Sequence, residues 1–276
     1  MKILRRGDKG PDVGVLQTHI NKFGYYLEVD EEFGELTENA LLDFQEEQNL
    51  VADGIAGPRT WEKLIGGDET KDAASASAAK GTPRRYEYEF NRLTVDPGKE
   101  SSVNRAADRV VNDRKRYELT AHAFKNSLPW YFIAGLHNQE ASGNFAGVLH
   151  NGERILGTGR KTRLVPAGRG PFQTWEEAAV DALLLKGFDK ITDWSLGNLM
   201  RLAERYNGTG VLMYHPNENT AYLYAMSNVN DGTGKYVADG KWSETASADG
   251  QVGMATLLKT LENRGVISIP RAFRKA

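Results

Sequence analysis

A repeat with a period of 23 residues dominates the first quarter of the chain. Residues 30–37 align with residues 53–60, and a leucine follows each segment at the same distance, Leu41 and Leu64. In each copy an Asp/Gly turn precedes a Thr suited to a helix N-cap and then an amphipathic helix. A third helical stripe lies upstream and ends at Gly24; it comprises Val13, Leu16, Gln17 and Ile20. These patterns predict a module of three helices over residues 1–67.

This module resembles the type-1 peptidoglycan-binding domain. The matching positions are Gly7, Gly10, Val13, Leu16, Gln17, Val29, Asp30, Phe33, Gly34, Thr37, Ala40, Phe44, Gln45 and residues 53–64. One position departs from the pattern, because Glu31 stands where the family usually has Gly in a tight turn. Five residues characterise the module, and we assign them a role in its fold rather than in ligand contact: Asp30, Phe44, Gln45, Asp53 and Thr60. The resemblance implies bacterial peptidoglycan as the partner.

Composition excludes several classes of chemistry. The 276 residues include no cysteine, which excludes disulfides, thiolate zinc sites and cysteine nucleophiles. Residues 1–67 carry 7 Lys and Arg against 13 Asp and Glu, whereas residues 68–276 carry 28 against 24. The larger part of the chain is therefore mildly basic, but too weakly to indicate nucleic acid as a partner.

The chain shows no targeting or membrane signal. Residues 1–8 lack the apolar core of a signal peptide, and no run of about 18 apolar residues occurs. We expect synthesis in the cytoplasm without a signal peptide, no stable membrane insertion and a monomer.

A tether and a larger domain follow the module. Residues 68–83 are poor in large apolar side chains, which predicts a flexible tether. Residues 84–96 contain alternating aromatic side chains, which we expect to dock on the second domain. Together we assign residues 68–100 to a linker. The domain over residues 101–276 has helical patterns at 101–124, 129–140, 174–185, 195–206, 219–229 and 249–263. A small β-hairpin is predicted around residues 151–152 in a Gly-rich stretch. The predicted fold class is mostly α: a three-helix module linked to an α+β lysozyme-like domain with a small β-hairpin.

Glu140 lies at the last turn of a mostly apolar helix. The helix begins at Pro129 and Trp130, and Gly143 marks its end. A half-buried carboxyl among apolar neighbours has a raised pKa and holds a proton near neutral pH, as a glycosidase general acid requires. The other interpretation is a carboxylate on the solvent side of a helix end.

Two short motifs in this domain resemble those of goose-type lysozymes and soluble lytic transglycosylases. Residues 140–145 are similar to their Glu-Ser motif, with Ala141 intervening before Ser142, and residues 203–210 are similar to their Ala-Tyr-Asn-x-Gly motif. The whole arrangement resembles modular phage endolysins, whose hairpin region is similar to residues 149–152 and 165–169. The resemblance implies cleavage of the β-1,4 bond between N-acetylmuramic acid and N-acetylglucosamine, with Glu140 as general acid. The substrate-binding residues that we assign are Ser142, Gln173, Tyr206 and Asn207.

The second half of the reaction stays open between two chemistries. Attack by water needs a base, for which Glu153 is the candidate second carboxylate, and would make the protein an N-acetylmuramidase. Attack by the sugar's own 6-hydroxyl gives a 1,6-anhydro product and needs one carboxylate, which favours a lytic transglycosylase. A non-catalytic cell-wall-binding virion protein is the alternative from another class. His137 and His150 have no metal-spaced partner, so we expect neither a metal nor a cofactor.

Overall fold

Helices dominate the structure. The computed structural model describes residues 2–23, 25, 27, 29–48, 50–66, 80–208, 210–215, 218–230, 232–238 and 241–272. Gly24, where the first helix was predicted to end, and residues 68–79 of the predicted tether lie outside these ranges. Within them no helix is both long enough and apolar enough to cross a membrane.

The chain divides into two compact units, and neither is one continuous segment. Unit 1 contains residues 1–91, 195–201 and 270–276, and unit 2 contains residues 92–194 and 202–269. The domain boundaries predicted after residues 67 and 100 stay a proposal.

The N-terminal module consists of three helices around one core. They are α1 (Pro11–Lys22), α2 (Glu35–Glu47) and α3 (Pro58–Gly66). The side chains that fill the core are those predicted from the repeat, and they include Val13, Leu16, Ile20, Phe33, Leu41, Phe44, Trp61 and Leu64. The predicted three-helix module is therefore confirmed.

The first copy of the repeat is organised around the side chain of Gln17. Its Nε2 donates to the Asp30 carboxylate at 2.7 Å, to the Glu32 carbonyl at 3.1 Å and to the Thr37 hydroxyl at 3.1 Å. Its Oε1 accepts from the Glu31 amide at 3.1 Å. The buried side-chain amide of Gln17 thus provides hydrogen-bond partners for the turn that precedes α2.

The second copy repeats the same network around Gln45. Its Nε2 donates to the Asp53 carboxylate at 2.9 Å, to the Ile55 carbonyl at 2.9 Å and to the Thr60 hydroxyl at 3.2 Å. Its Oε1 accepts from the Gly54 amide at 2.9 Å. Because these bonds close the turn before α3, these side chains serve the fold of the module.

Glu31 adopts the backbone conformation that the resemblance reserves for glycine. Its φ is 61°, and its counterpart in the second copy, Gly54, has a φ of 68°. A side chain in this left-handed region meets steric resistance that glycine avoids. The departure from the family pattern therefore leaves the turn in place with a strained residue.

Unit 1 also includes residues 83–91 of helix α4 (Pro83–Arg92). Arg84 is buried, and its guanidinium lies 5.2 Å from the centre of the Tyr25 ring. Arg201 forms an ion pair of 3.7 Å with Asp43. Residues 84–91 are part of unit 1, whereas residues 92–96 belong to unit 2, where the Asp96 amide donates to the Met226 carbonyl at 3.1 Å. That residues 84–96 dock on the second domain stays a prediction.

Unit 2 is built mainly from helices. They are α5 (Glu100–Asn112), α6 (Arg114–Ala121), α7 (Trp130–Ala141), α8 (Trp175–Leu185), α9 (Leu196–Asn207, which starts in unit 1), α10 (Gly210–Tyr214), α11 (Ala221–Tyr224) and α12 (Met254–Asn263), with a 3₁₀ turn at Phe188–Lys190. Helix α7 packs against α6 and α12 and is buried from residue 131 to residue 138. Gly135 allows this packing, because a Cβ there would lie 2.7 Å from the Met254 side chain.

The predicted β-hairpin around residues 151–152 is wrong. Residues 148–151 form a turn, and the Glu153 carboxylate accepts from the backbone amides of Arg163 and Leu164 at 2.9 and 3.0 Å. A side chain thus takes amides that a strand partner would otherwise bind. The two-stranded antiparallel sheet consists instead of β1 (Thr233–Ala238) and β2 (Lys241–Ser247).

Three predicted helices have other bounds. The helix predicted over residues 101–124 is divided into α5 and α6 at Asp113, and the one predicted over residues 249–263 begins only at Met254. The helix predicted over residues 219–229 is reduced to the single turn of α11. Ala225, with a ψ of 142°, ends that turn, and Met226 follows with a φ of 65°. The mostly α class is confirmed, whereas the lysozyme-like fold stays a proposal.

Candidate functional site

Helix α7 ends directly after Glu140. Ser142 has a φ of 53° and Gly143 a φ of 71°, and the Gly143 amide donates to the His137 carbonyl at 3.2 Å. Such a left-handed termination satisfies the last carbonyls of a helix. It fixes Glu140 in the final turn, as the sequence predicted.

The carboxyl group of Glu140 is partly buried and has a raised pKa. Burial raises the pKa to about 7, against the effect of the Tyr222 hydroxyl, which donates to Oε1 at 3.1 Å, and of the nearby Lys186 ammonium. The negative end of the helix dipole also disfavours an ionised carboxylate at this position. A substantial fraction of this group is therefore protonated at neutral pH.

Glu140 lies in a cleft of about 480 Å³. The residues that line the cleft are Gln139, Glu140, Asn207, Val211, Thr220, Ala221, Tyr222, Gly234, Lys235, Tyr236, Trp242, Ala248, Gly250 and Gln251. Among these described residues Glu140 is the only carboxylic acid. The cleft thus combines one protonatable acid with amide, hydroxyl and aromatic groups that suit a sugar.

Tyr222 reaches Glu140 because the segment around α11 is held from two sides. The Thr220 hydroxyl accepts from the Tyr222 amide at 3.3 Å and caps the turn. The Thr256 hydroxyl donates to the Ala225 carbonyl at 2.9 Å. Gly253 packs so closely that a Cβ there would lie 2.5 Å from the Ala225 nitrogen.

The segment before α12 also binds the last turns of α7. Gln139 donates to the Val252 carbonyl at 2.6 Å, and Asn138 donates to the same oxygen at 3.0 Å. Gln251 donates in return to the Asn138 carbonyl. These bonds fix the end of α7 relative to the cleft wall formed by residues 248–251.

Two predicted substrate-binding residues lie at or beneath the cleft. Asn207 lines it and is exposed. Tyr206 is buried, and its hydroxyl donates to the Leu149 carbonyl at 2.9 Å. Burial raises the pKa of Tyr206, and the Glu140 charge raises it further, so the phenol stays neutral. The structure thus gives Tyr206 a contact with the 147–152 loop.

Three other predicted residues do not line this cleft. Ser142 is exposed just after α7, and Gln173 is exposed before α8. The Glu153 carboxylate also accepts from Asn151 Nδ2 at 3.1 Å, in addition to its two backbone amides. Within the described residues the predicted set is therefore divided between the cleft and the loops near it.

Several residues of the cleft were missed by the sequence interpretation. They are Gln139, Tyr222, Lys235, Tyr236, Trp242 and Gln251. A local signal existed for part of this set, because the Asp239-Gly240 dipeptide between Tyr236 and Trp242 is a typical hairpin turn. Tyr222 carries no such signal, since its role depends on a contact across 82 residues.

The two histidines near the site are buried. The His137 Nδ1 lies 2.9 Å from the Tyr117 hydroxyl, and burial lowers the pKa of His137 to about 4, so the ring is neutral. The His150 Nε2 lies 2.8 Å from the Asp181 carboxylate, which also pairs with Arg169. Within the described part of the chain, no group of three or more His, Asp or Glu side chains is arranged to hold a metal ion.

Comparison with known families identifies the N-terminal module. Residues 9–64 match the family model described as a putative peptidoglycan binding domain. The chain therefore contains a domain of this family, as the resemblance of residues 1–67 predicted.

Similar proteins include enzymes that act on the bacterial cell wall. The chain is 33% identical over 102 residues to the N-acetylmuramoyl-L-alanine amidase CwlM of Mycobacterium tuberculosis, covering 33% of this chain and 23% of that protein. It is 37% identical over 82 residues to a spore cortex-lytic enzyme of Bacillus cereus, covering 29% and 30%. It is 33% identical over 114 residues to the zinc D-Ala-D-Ala carboxypeptidase of Streptomyces albus G, covering 39% and 41%. The chain thus spans less than half the length of each of these relatives.

One solved structure with a matching segment is that of the Burkholderia AP3 phage endolysin. The identity is 26%, the match covers 58% of this chain and 42% of that one, and the TM-score is 0.24. The N-terminal domain, residues 9–64, is of a peptidoglycan-binding family, and the curated relatives that match part of the chain are an amidase, a cortex-lytic enzyme and a carboxypeptidase.

Proposed function

We propose that this protein is a peptidoglycan glycosidase that cleaves the β-1,4 bond between N-acetylmuramic acid and N-acetylglucosamine. The observation that carries the proposal is the Glu140 carboxyl, which has a pKa of about 7 and lines a cleft of sugar-compatible groups. The peptidoglycan-binding domain at residues 9–64 supports the choice of polymer.

In the first step Glu140 acts as general acid. Its proton passes to the glycosidic oxygen while the bond from that oxygen to the anomeric carbon breaks, and an oxocarbenium-like centre develops. The Tyr222 hydroxyl donates to the carboxylate that remains, which stabilises the charge formed on Glu140. Asn207 and Gln139 offer amide groups to the acetamido and hydroxyl substituents of the sugar.

In the second step we favour attack by the 6-hydroxyl of the muramic acid. Its oxygen bonds to the anomeric carbon, its proton returns to Glu140, and the product is a 1,6-anhydro sugar. This route needs one carboxylate, and Glu140 is the only carboxylic acid among the described residues that line the cleft. The protein is then a lytic transglycosylase.

Hydrolysis by an N-acetylmuramidase is the second candidate. It needs a base for water, and Glu153 was the residue assigned to that role. The Glu153 carboxylate accepts from two backbone amides and one side-chain amide. It would have to leave these donors to activate water, which is why we place this candidate second.

The test is digestion of purified peptidoglycan by the wild type, Glu140→Gln and Glu153→Gln, with mass spectrometry of the released fragments. We expect wild-type fragments that end in a 1,6-anhydro sugar, one water lighter than reducing ends. We expect a loss of at least about a hundredfold for Glu140→Gln and little change for Glu153→Gln.

Each contrary outcome identifies another function. Reducing ends, together with an inactive Glu153→Gln, would identify a muramidase. Free stem peptides, with activity retained in Glu140→Gln, would identify an amidase or peptidase. An absence of release by the wild type would identify a non-catalytic wall-binding protein.

We propose further that the protein acts as a modular endolysin. The N-terminal domain would bind the wall polymer while the second unit cleaves it, after another agent has permeabilised the membrane of the host. The residues assigned to substrate binding beyond the cleft, Ser142 and Gln173, belong to this proposal.

A further inference from the structure

The β1–β2 hairpin contributes one side of the cleft that contains Glu140. Gly234, Lys235, Tyr236 and Trp242 all line it. Tyr236 pairs directly with Trp242 across the strands, and their ring centres lie 5.2 Å apart at 73°. The mechanism proposed above uses none of these residues.

An aromatic cluster holds the hairpin beside α10. The His215 ring, just after α10, stacks on the Trp242 ring with their centres 3.8 Å apart. The Tyr236 ring lies 5.7 Å from the same histidine. Because these rings fix one another, the cleft side of the hairpin is formed in advance of ligand binding.

Lys235 is the only basic side chain among the described residues that line the cleft. No hydrogen bond or ion pair within the described part of the chain engages its ammonium, which would lie 3.7 Å from a Cβ placed on Gly250. Glu140 is the only acidic residue of the lining, and it is partly protonated at neutral pH. Lys235 therefore offers a positive charge within the lining to which a negative group of a ligand can bind.

Lys235 and Glu140 both line the cleft. The groups that lower the pKa of Glu140 are Tyr222 and Lys186. Lys235 is not one of them. A ligand can therefore present its glycosidic oxygen to Glu140 and a negative group to Lys235.

We propose that Lys235 is a specificity-determining residue that pairs with a carboxylate carried by the muramic acid, while Trp242 packs against a sugar ring. This inference rests on the proposed substrate and names the part of it that the hairpin recognises. Two sources supply the carboxylate: the lactyl group of a glycan without peptides, and the stem peptide of an intact one.

The test measures binding by calorimetry to the full chain carrying Glu140→Gln, so that no turnover occurs. The ligands are a tetrasaccharide of alternating N-acetylglucosamine and N-acetylmuramic acid with free lactyl carboxylates, the same tetrasaccharide with these groups amidated, and the form bearing stem peptides. The variants are Lys235→Gln and Lys241→Gln, the latter an exposed lysine of the same hairpin outside the cleft lining.

We expect Lys235→Gln to weaken binding of a carboxylate-bearing ligand roughly tenfold, as the loss of one charge-assisted hydrogen bond predicts. The amidated ligand should bind equally to both proteins, and Lys241→Gln should change neither affinity. If Lys235→Gln weakens binding of the tetrasaccharide with free lactyl groups, the lactyl carboxylate is the group that Lys235 binds. If it weakens binding only of the tetrasaccharide with stem peptides, the carboxylate belongs to the stem peptide.

The proposal is overturned if Lys235→Gln weakens the amidated ligand as much as both charged ones, or if Lys241→Gln has the same effect as Lys235→Gln. A Trp242→Phe variant should retain most of the affinity and Trp242→Ala should lose it for every ligand; unchanged affinity in a folded Trp242→Ala overturns the role of that ring. Because binding is measured without catalysis, these results can be interpreted even if the digestion test shows no glycosidase activity.

Discussion

At Glu140, burial raises the pKa of the carboxyl while Tyr222 and Lys186 lower it. The net effect of burial, Tyr222 and Lys186 determines what fraction of Glu140 is protonated at a given pH. If the acid form is the active one, activity is highest below the pKa and falls as the pH rises through about 7.

Replacement of Tyr222 by Phe removes the hydroxyl that stabilises the ionised form of Glu140. The pKa of Glu140 should therefore rise, and the alkaline limb of kcat/KM should move to higher pH. The measurement is the pH profile on soluble glycan fragments. Tyr214→Phe, at an exposed position, should keep the wild-type profile. A limb that moves to lower pH in Tyr222→Phe would contradict this assignment.

Glu140 should also make stability depend on pH. The carboxyl titrates near 4.5 when unfolded and near 7 when folded, so the folded state holds the extra proton between these values. Stability should then fall as the pH rises through this window. Above it, Glu140→Gln should be more stable than the wild type by on the order of 1–3 kcal/mol.

The measurement is urea unfolding of both proteins at pH 4, 6 and 8, values chosen as roughly bracketing the window. His137 acts in the opposite direction, because burial lowers its pKa to about 4, but it is common to both proteins and cancels in their difference. An equal difference at every pH would show that Glu140 titrates normally.

Among the local elements, the two turns of the N-terminal module offer a matched pair. Glu31 and Gly54 occupy equivalent left-handed positions, and each amide donates to a glutamine. Glu31→Gly should raise the unfolding free energy of the module by about 0.5–1 kcal/mol, because strain is relieved while the hydrogen bond is kept. Gly54→Ala should lower it by about 1 kcal/mol.

Denaturant unfolding, followed by the fluorescence of the five tryptophans, which include Trp61 in the module core, reports both changes. A loss of stability in Glu31→Gly would mean that the Glu31 side chain contributes more than its backbone strain costs.

The segment that positions Tyr222 depends on the absence of a side chain at Gly253. A methyl group there would meet the backbone at Leu223 and Ala225. Gly253→Ala should therefore lower stability by about 2–4 kcal/mol and reduce activity. Gly250→Ala is the matched control, since its Cβ would meet only the Lys235 ammonium at 3.7 Å. Thermal unfolding distinguishes the two, and equal melting temperatures would contradict the close packing.

Elements defined by neighbouring residues were predictable from the sequence. The capping box of Thr174 and Glu177, the end of α7 and both turns of the repeat rest on contacts within a few residues or on a recognised pattern. The hairpin predicted around residues 151–152 was wrong because Glu153 takes the amides of that loop, although the Asp239-Gly240 dipeptide was a local signal for the strands that do form. The site shows the same division: Glu140 follows from local periodicity, whereas Tyr222 and Lys235 depend on packing between distant segments.

At the scale of the whole molecule, unit 1 combines three separate stretches of sequence. Leu196 donates to the Pro270 carbonyl at 2.7 Å, and the Arg271 guanidinium lies 5.4 Å from the Phe90 ring centre. The N-terminal module contacts these later stretches through Tyr25, which faces the Arg84 guanidinium, and through Asp43, which pairs with Arg201.

Deletion of residues 1–66 tests the importance of these contacts. Arg84 would lose Tyr25, and Arg201 would lose Asp43. The remaining chain should be less stable by about 1–3 kcal/mol than the same region in the full protein. Calorimetric melting of both proteins is the measurement. An unchanged transition would show that the module folds independently of the rest of the chain.

The discontinuity of unit 1 also orders events during translation. Residues 1–66 leave the ribosome first and contain their own core, but the partners of α4 at residues 195–201 and 271 are made much later. At ordinary elongation rates the delay is roughly 10–40 s. Until residue 271 has been made, the nascent chain exposes the face of the Phe90 ring that the Arg271 guanidinium covers in the folded protein.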